Sequence, residues 1–113
     1  MVKDIDATLS ALADPTRRRI VELLRVRPQL AGELAAAFDV SAPAVSRHLK
    51  VLRRSGLVTD HGVDGDARLR VYELQQEPFT ALQAWLDQVQ AFWTDQLGAF
   101  REHVENLSNG TAD

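Results

Sequence analysis

Between Ser41 and Thr59 the sequence carries four cations, Arg47, Lys50, Arg53 and Arg54, and no acid. Guanidinium and ammonium groups unopposed by carboxylates suit a polyanion. They neutralise phosphates, and an arginine can also donate two parallel bonds to a guanine edge. Covalent chemistry has no comparable constellation: no nucleophile–base pair, phosphate-binding glycine loop or dense metal cluster is visible, and the reading is not that of an enzyme. The absence of cysteine excludes disulfides and thiolate metal sites and fits a reducing, cytoplasmic setting. The remaining nitrogen and oxygen donors are sparse. They are His61 with Asp60, Asp64 and Asp66, and His103 with Glu102 and Glu105. Such groups can hold nickel or zinc across a dimer. Solvated surface charge is the default account of them, so no cofactor is expected, with nickel or zinc as the alternative.

A net charge of -3 conceals a segregation. Residues 14–75 hold eleven cations against eight anions, a balance of +3, whereas residues 76–113 hold one cation against six anions. A basic region set apart from an acidic end is the form a nucleic-acid footprint takes. No apolar run approaches the ~20 residues of a membrane span. Nor does one follow Lys3 as a secretory signal would require.

The elements that must position these cations are legible from periodicity. Ile5, Leu9 and Leu12 recur at helical spacing. Asp14 and Pro15 then suit the cap and first position of a second helix, which carries Ile20, Leu23 and Leu24 and stops before Pro28. Its first turn holds Arg17, Arg18 and Arg19, where the helix dipole disfavours cations. A solvated face is the simpler account of them, and an outside phosphate the sharper one. A third helix is expected from about Gln29 to Ala37. After a tight connection, Ser41 caps a fourth, with Val45, Leu49 and Leu52 inward and Gly56 as its terminator. Leu57–His61 and Arg68–Leu74 flank the Asp-Gly turn of a hairpin. Leu82, Trp85, Leu86, Val89, Phe92, Trp93, Leu97, Phe100, Val104 and Leu107 then keep a spacing of three to four along one long last helix.

The expected fold is therefore mainly α with a small β-hairpin. It is a winged helix-turn-helix of five helices, with a two-stranded wing between the fourth and last. One domain is expected over residues 1–107, with a disordered polar tail at 108–113.

Ala11-Leu12-Ala13-Asp14-Pro15-Thr16-Arg17-Arg18, Glu33-Leu34-Ala35, Val45-Ser46-Arg47-His48-Leu49-Lys50-Val51-Leu52 and Ser55-Gly56-Leu57-Val58 together resemble the ArsR/SmtB-type winged-helix repressors. Phe92-Trp93 within an aromatic terminal helix is similar to that family's metal-independent autorepressor branch. The resemblance implies a homodimer joined through the first and last helices, and a DNA-contacting fourth helix. Ile5, Leu9, Trp85, Val89, Phe92, Trp93 and Phe100 are the interface candidates. A long helix with two tryptophans and two phenylalanines would otherwise leave a large apolar patch on a small protein. Two family metal sites are missing. Glu33-Leu34-Ala35-Ala36-Ala37 lacks the cysteines of the third-helix site, and Asp87-Gln88-Val89 lacks the histidine of the last-helix site.

Residues near the start of a recognition helix reach base edges, and later ones meet phosphate. Ala42, Pro43, Ser46 and Arg47 are accordingly assigned to the major groove, with Arg47 on a guanine. Lys50 and Arg54 are assigned to phosphates, Ser41 first to a cap and then to a phosphate, and Arg68 and Arg70 to contacts from the wing. Asp60, Asp64 and Asp66 place three carboxylates in the same hairpin, which phosphates would repel. His48 is expected to be a hydrogen-bonded residue at the edge of the core. The function expected is repression from a palindromic operator on double-stranded DNA. The alternatives are a metal-responsive or partner-dependent regulator, in which a protein co-regulator restores affinity, or an interaction adaptor with weak DNA binding.

Overall fold

The computed structural model of the chain describes residues 4–111. Its elements run α1 (Ile5–Leu12), α2 (Pro15–Val26), β1 (Gln29–Leu30), α3 (Ala31–Ala36), α4 (Ala42–Arg54), β2 (Val58–Val63), β3 (Asp66–Leu74) and α5 (Gln76–Thr111). Short polar side chains open α1, α2 and α4. Asp4 accepts from the Ala7 N–H at 3.1 Å, Asp14 from Arg17 at 3.0 Å and Ser41 from Ala44 at 3.3 Å. Each satisfies a donor that the first turn leaves without an intrahelical partner. Pro15 and Pro43 sit in first turns, where a missing N–H costs nothing.

The core of the part up to Ala81 is built from Ala11, Ile20, Val21, Leu24, Leu34, Val45, Leu49, Leu52, Leu57 and Val58. Val45, Leu49 and Leu52 point inward as the spacing predicts. Tyr72 and Leu74 of β3 pack against this core, and Leu69 is exposed. α1 turns Thr8 and Ala11 inward and leaves Leu9 exposed.

The third helix is shorter than its periodicity suggests. Arg27, which precedes Pro28, is extended, as the proline ring demands of its neighbour. The chain leaves in that conformation, and Gln29 and Leu30 pair with Tyr72 and Val71. The sheet therefore has three antiparallel strands in the order β1-β3-β2, one more than the hairpin alone. The Gln29 side chain is buried and donates to the Leu23 carbonyl at 2.7 Å, serving the end of α2. Glu33 accepts the Leu30 N–H at 3.0 Å and starts α3 two residues late.

α4 ends at Gly56, whose φ of +82° lies in the left-handed region, and the wing turns at Gly65 with φ +87°. A Cβ on Gly56 would meet nothing within 4 Å, so only its backbone conformation would be penalised. Gly56→Ala is expected to lower stability by about 1–2 kcal/mol, read from the urea midpoint. An unchanged midpoint would contradict the turn geometry.

From Leu82 onward the helix forms a second unit. Its residues from Gln83 to Leu107 are all exposed, including the whole aromatic stripe. The helix also continues to Thr111, past the start of the polar tail that was expected to be disordered; extending a formed helix adds one hydrogen bond per residue fixed. Residues 112–113 lie outside the described residues. No described helix is long and apolar enough to cross a membrane.

Candidate nucleic-acid interface

Burying Val45, Leu49 and Leu52 fixes the rotation of α4, so its opposite face must be presented outward. Ala42, Pro43, Ser46, Arg47, Lys50, Arg53 and Arg54 are all exposed there. Arg47, Lys50 and Arg54 make no hydrogen bond or ion pair with any described residue, so their donors are unspent. Ser41 is occupied by its cap.

The arginines at the start of α2 do something other than either sequence reading. Arg17 donates from Nε to the Ala11 carbonyl at 2.7 Å and from Nη2 to Ser10 at 3.2 Å. Arg18 donates from Nη1 to Leu12 at 2.8 Å and Ala13 at 3.1 Å. They cap the exposed carbonyls at the end of α1 and so hold α1 against α2. Arg19 lies 4.9 Å over the Phe38 ring. An outside phosphate is not needed to explain them.

His48 lies at the edge of this packing, as expected. Arg17 Nη1 donates to its Nδ1 at 3.4 Å, since a guanidinium has nothing to accept with. The Asp14 carboxylate stands 3.9 Å away. The Arg17 backbone N–H, helped by the Arg17 charge, holds the Asp14 carboxyl below its usual range against a smaller effect of burial.

In the wing, Asp60 is the hidden acid. Its side chain is only 9 % exposed and accepts from Arg70 Nε at 2.9 Å and from Arg53 Nη1 at 3.3 and 3.4 Å. Arg53 comes from the last turn of α4, so this carboxylate ties α4 to both wing strands. Asp66 is partly compensated too, accepting the Arg68 N–H at 2.9 Å with the guanidinium at 3.8 Å. Of the three wing carboxylates, Asp64 at the turn is the exposed one. Arg68 is nearly fully exposed. Arg70, assigned to DNA from sequence, is half-exposed and already shares Asp60.

Burial favours the neutral form of Asp60, but the bonds and charges of Arg70 and Arg53 outweigh it and hold the carboxyl below the ordinary range. The folded pKa thus lies below the unfolded one. Its stabilisation is complete above the unfolded value, about 3.9, and is lost as pH falls through the folded value. The difference in melting temperature between the native chain and Asp60→Asn should therefore be constant from about pH 5 upward and shrink below about pH 4. A difference that persists in acid would mean that the charge is not what matters.

The description "Bacterial regulatory protein, arsR family" matches residues 14–60, from the cap of α2 to Asp60 itself. The HTH-type transcriptional regulator Rv2034 of Mycobacterium tuberculosis is 42% identical over 106 residues, covering 94% of each chain. The chain belongs to the ArsR family. A second relative, the transcriptional repressor SdpR of Bacillus subtilis, is 41% identical over 51 residues, 45% of this chain and 57% of its own length. Among solved structures, an ArsR-like transcriptional regulator from Rhodococcus sp. RHA1 superposes with a TM-score of 0.73 at 28% identity, covering 87% of this chain and 90% of that one. As an ArsR family member the chain is a transcriptional regulator with a DNA-binding winged helix, not an enzyme.

Within this ArsR fold the candidate metal donors belong to different elements. His61 is an exposed residue of β2 opposite Val71, Asp64 is in the wing turn, and His103 is on the exposed part of α5. Among the described residues, no three histidine or carboxylate side chains come together as a metal would require. Sequence reading passed over Arg53 and Asp60 as a functional pair. Their only signal was an acid four residues past Gly56 and an arginine three residues before that glycine.

Proposed function

We propose that this ArsR family regulator is a homodimeric repressor that reads a palindromic operator with α4 in the major groove of each half-site. The observation that carries the proposal is the outer face of α4, where Arg47, Lys50 and Arg54 are exposed and have no partner among the described residues, beside small residues that let the helix approach the bases. Arg47 contacts a guanine, Ala42 and Pro43 touch thymine methyls, and Ser46 reads a neighbouring base. Lys50 and Arg54 take phosphates. The wing adds Arg68 and Arg70.

Ile5 and Leu9 of α1, and the stripe of Trp85, Val89, Phe92, Trp93 and Phe100 on α5, each take part in the dimer contacts. Exposed aromatic residues at helical repeat on one helix are what a partner surface consists of. The regulator works in the cytoplasm and without a metal, since neither family metal-site pattern is present in the sequence. The adaptor reading rested on an acidic wing. It loses force because Asp60 is compensated by two arginines and Asp66 by a third.

Selection of binders from a randomised duplex pool, run with a chelator present, tests this reading. The expected product is an inverted repeat with half-sites about one helical turn, roughly 10 base pairs, apart. A pool that stays random would overturn it.

A further inference from the structure

The wing carboxylate that sequence alone marks as repulsive stands in an arrangement that argues the opposite. Asp60 faces Tyr72 across the β2–β3 pairing and is almost wholly covered. Two guanidiniums from different elements, Arg53 of α4 and Arg70 of β3, converge on it while each remains about half exposed. A guanidinium carries five N–H donors, and Asp60 engages only one nitrogen of each. Most donors of both arginines therefore stay available, on side chains that no longer wander. The three charges sum to one net positive charge.

Beside the pair lies a cleft of about 300 Å³ lined by Ser46, Leu49, Lys50, Arg53 and Tyr72. A second depression, sharing Ser46 and Tyr72, is lined by Arg68 and Arg70. Every charged side chain on these walls is a cation, and the hydroxyls can donate. An acceptor-only anion fits such walls; on a DNA-binding surface that anion is a backbone phosphate.

We propose that Asp60 is a positioning residue that fixes Arg53 and Arg70 as a two-armed clamp for a DNA backbone phosphate where the recognition helix meets the wing. The proposal rests on the DNA-binding reading above and extends it to Arg53, which that reading leaves out. Two long side chains ordered before DNA arrives lose less freedom on binding it. An acid beneath the contact surface thereby raises affinity for a polyanion.

The sign of one substitution decides. Asp60→Ala removes a negative charge from within the footprint, so charge repulsion alone predicts tighter binding. The clamp predicts weaker binding, by about tenfold near 0.15 M salt, with the logarithmic salt slope flattened by about one to two. Phosphate contacts ignore sequence, so operator and scrambled duplex should weaken by the same factor. The experiment is fluorescence anisotropy across a salt series with the full chain. It compares the native protein, Asp60→Ala, the isosteric Asp60→Asn, Arg53→Ala/Arg70→Ala and the triple variant, each checked by urea denaturation; Asp60→Asn serves if Asp60→Ala does not fold. In the Arg53→Ala/Arg70→Ala background, removing Asp60 should cost no further affinity. Tighter binding by the Asp60 variants overturns the clamp alone. So does a loss that persists without the arginines, since that marks Asp60 as merely structural. A native protein that binds both duplexes equally overturns sequence-specific reading, and the slope comparison still decides the clamp.

Discussion

Replacing Arg47 and Lys50 together by alanine is expected to lower operator affinity at least about a hundredfold while leaving the melting temperature unchanged. A bidentate arginine–guanine contact discriminates by about 1–3 kcal/mol, and each lost phosphate contact removes close to one unit of salt slope. In the proposed symmetric dimer both contacts are lost twice. Stability should not move, because both side chains are exposed and have no partner among the described residues. The single variants separate the two roles. Arg47→Ala should weaken operator binding far more than binding to scrambled DNA, whereas Lys50→Ala should weaken both alike. Competition titrations with the two duplexes read this directly. An unaffected double variant would remove α4 from the interface.

Trp93→Glu combined with Phe100→Glu is expected to give a folded monomer. Seven residues apart, the two rings fall on one face of α5, and they are 66% and 67% exposed. Their packing within the chain is slight, so charges placed there should act on association rather than on the fold. Losing the dimer converts binding of the second half-site from an intramolecular event to a separate one, which costs about 10²–10⁴ in affinity. Sedimentation velocity should show half the native mass, with a cooperative urea transition retained. A variant that still sediments as a dimer would put the interface elsewhere.

Features governed by neighbours in sequence were legible in advance. Asp14 and Ser41 cap because a short acceptor before a helix meets its free N–H groups. The apolar triad Val45, Leu49 and Leu52 sets the outward face of α4 by its spacing alone. Gly56 and the Asp64-Gly65 turn announce themselves because only glycine takes their backbone angles freely. What escaped depends on residues brought together by the fold. Gln29 and Leu30 fit a helical pattern, but Pro28 holds the chain extended and β3 offers a partner edge, so they join the sheet. Arg17 and Arg18 look misplaced beside a helix N-terminus until the carbonyl end of α1 is seen to lie within their reach. Asp60 carries a repulsive sign in a linear charge count. Its two arginines arrive from residues 7 and 10 positions away, on different elements. Long, flexible cations choose partners by tertiary proximity, which periodicity does not encode.

Equilibrium binding distinguishes a sequence-specific reader built from α4 and the wing from a protein that only holds the DNA backbone. Fluorescence anisotropy should compare a palindrome-containing duplex with a scrambled one of the same length and composition over several salt concentrations. The palindrome should bind at least about 10³-fold tighter, with affinity falling steeply as salt rises. Equal affinity for both duplexes, or affinity indifferent to salt, would contradict sequence-specific binding through α4 and the wing.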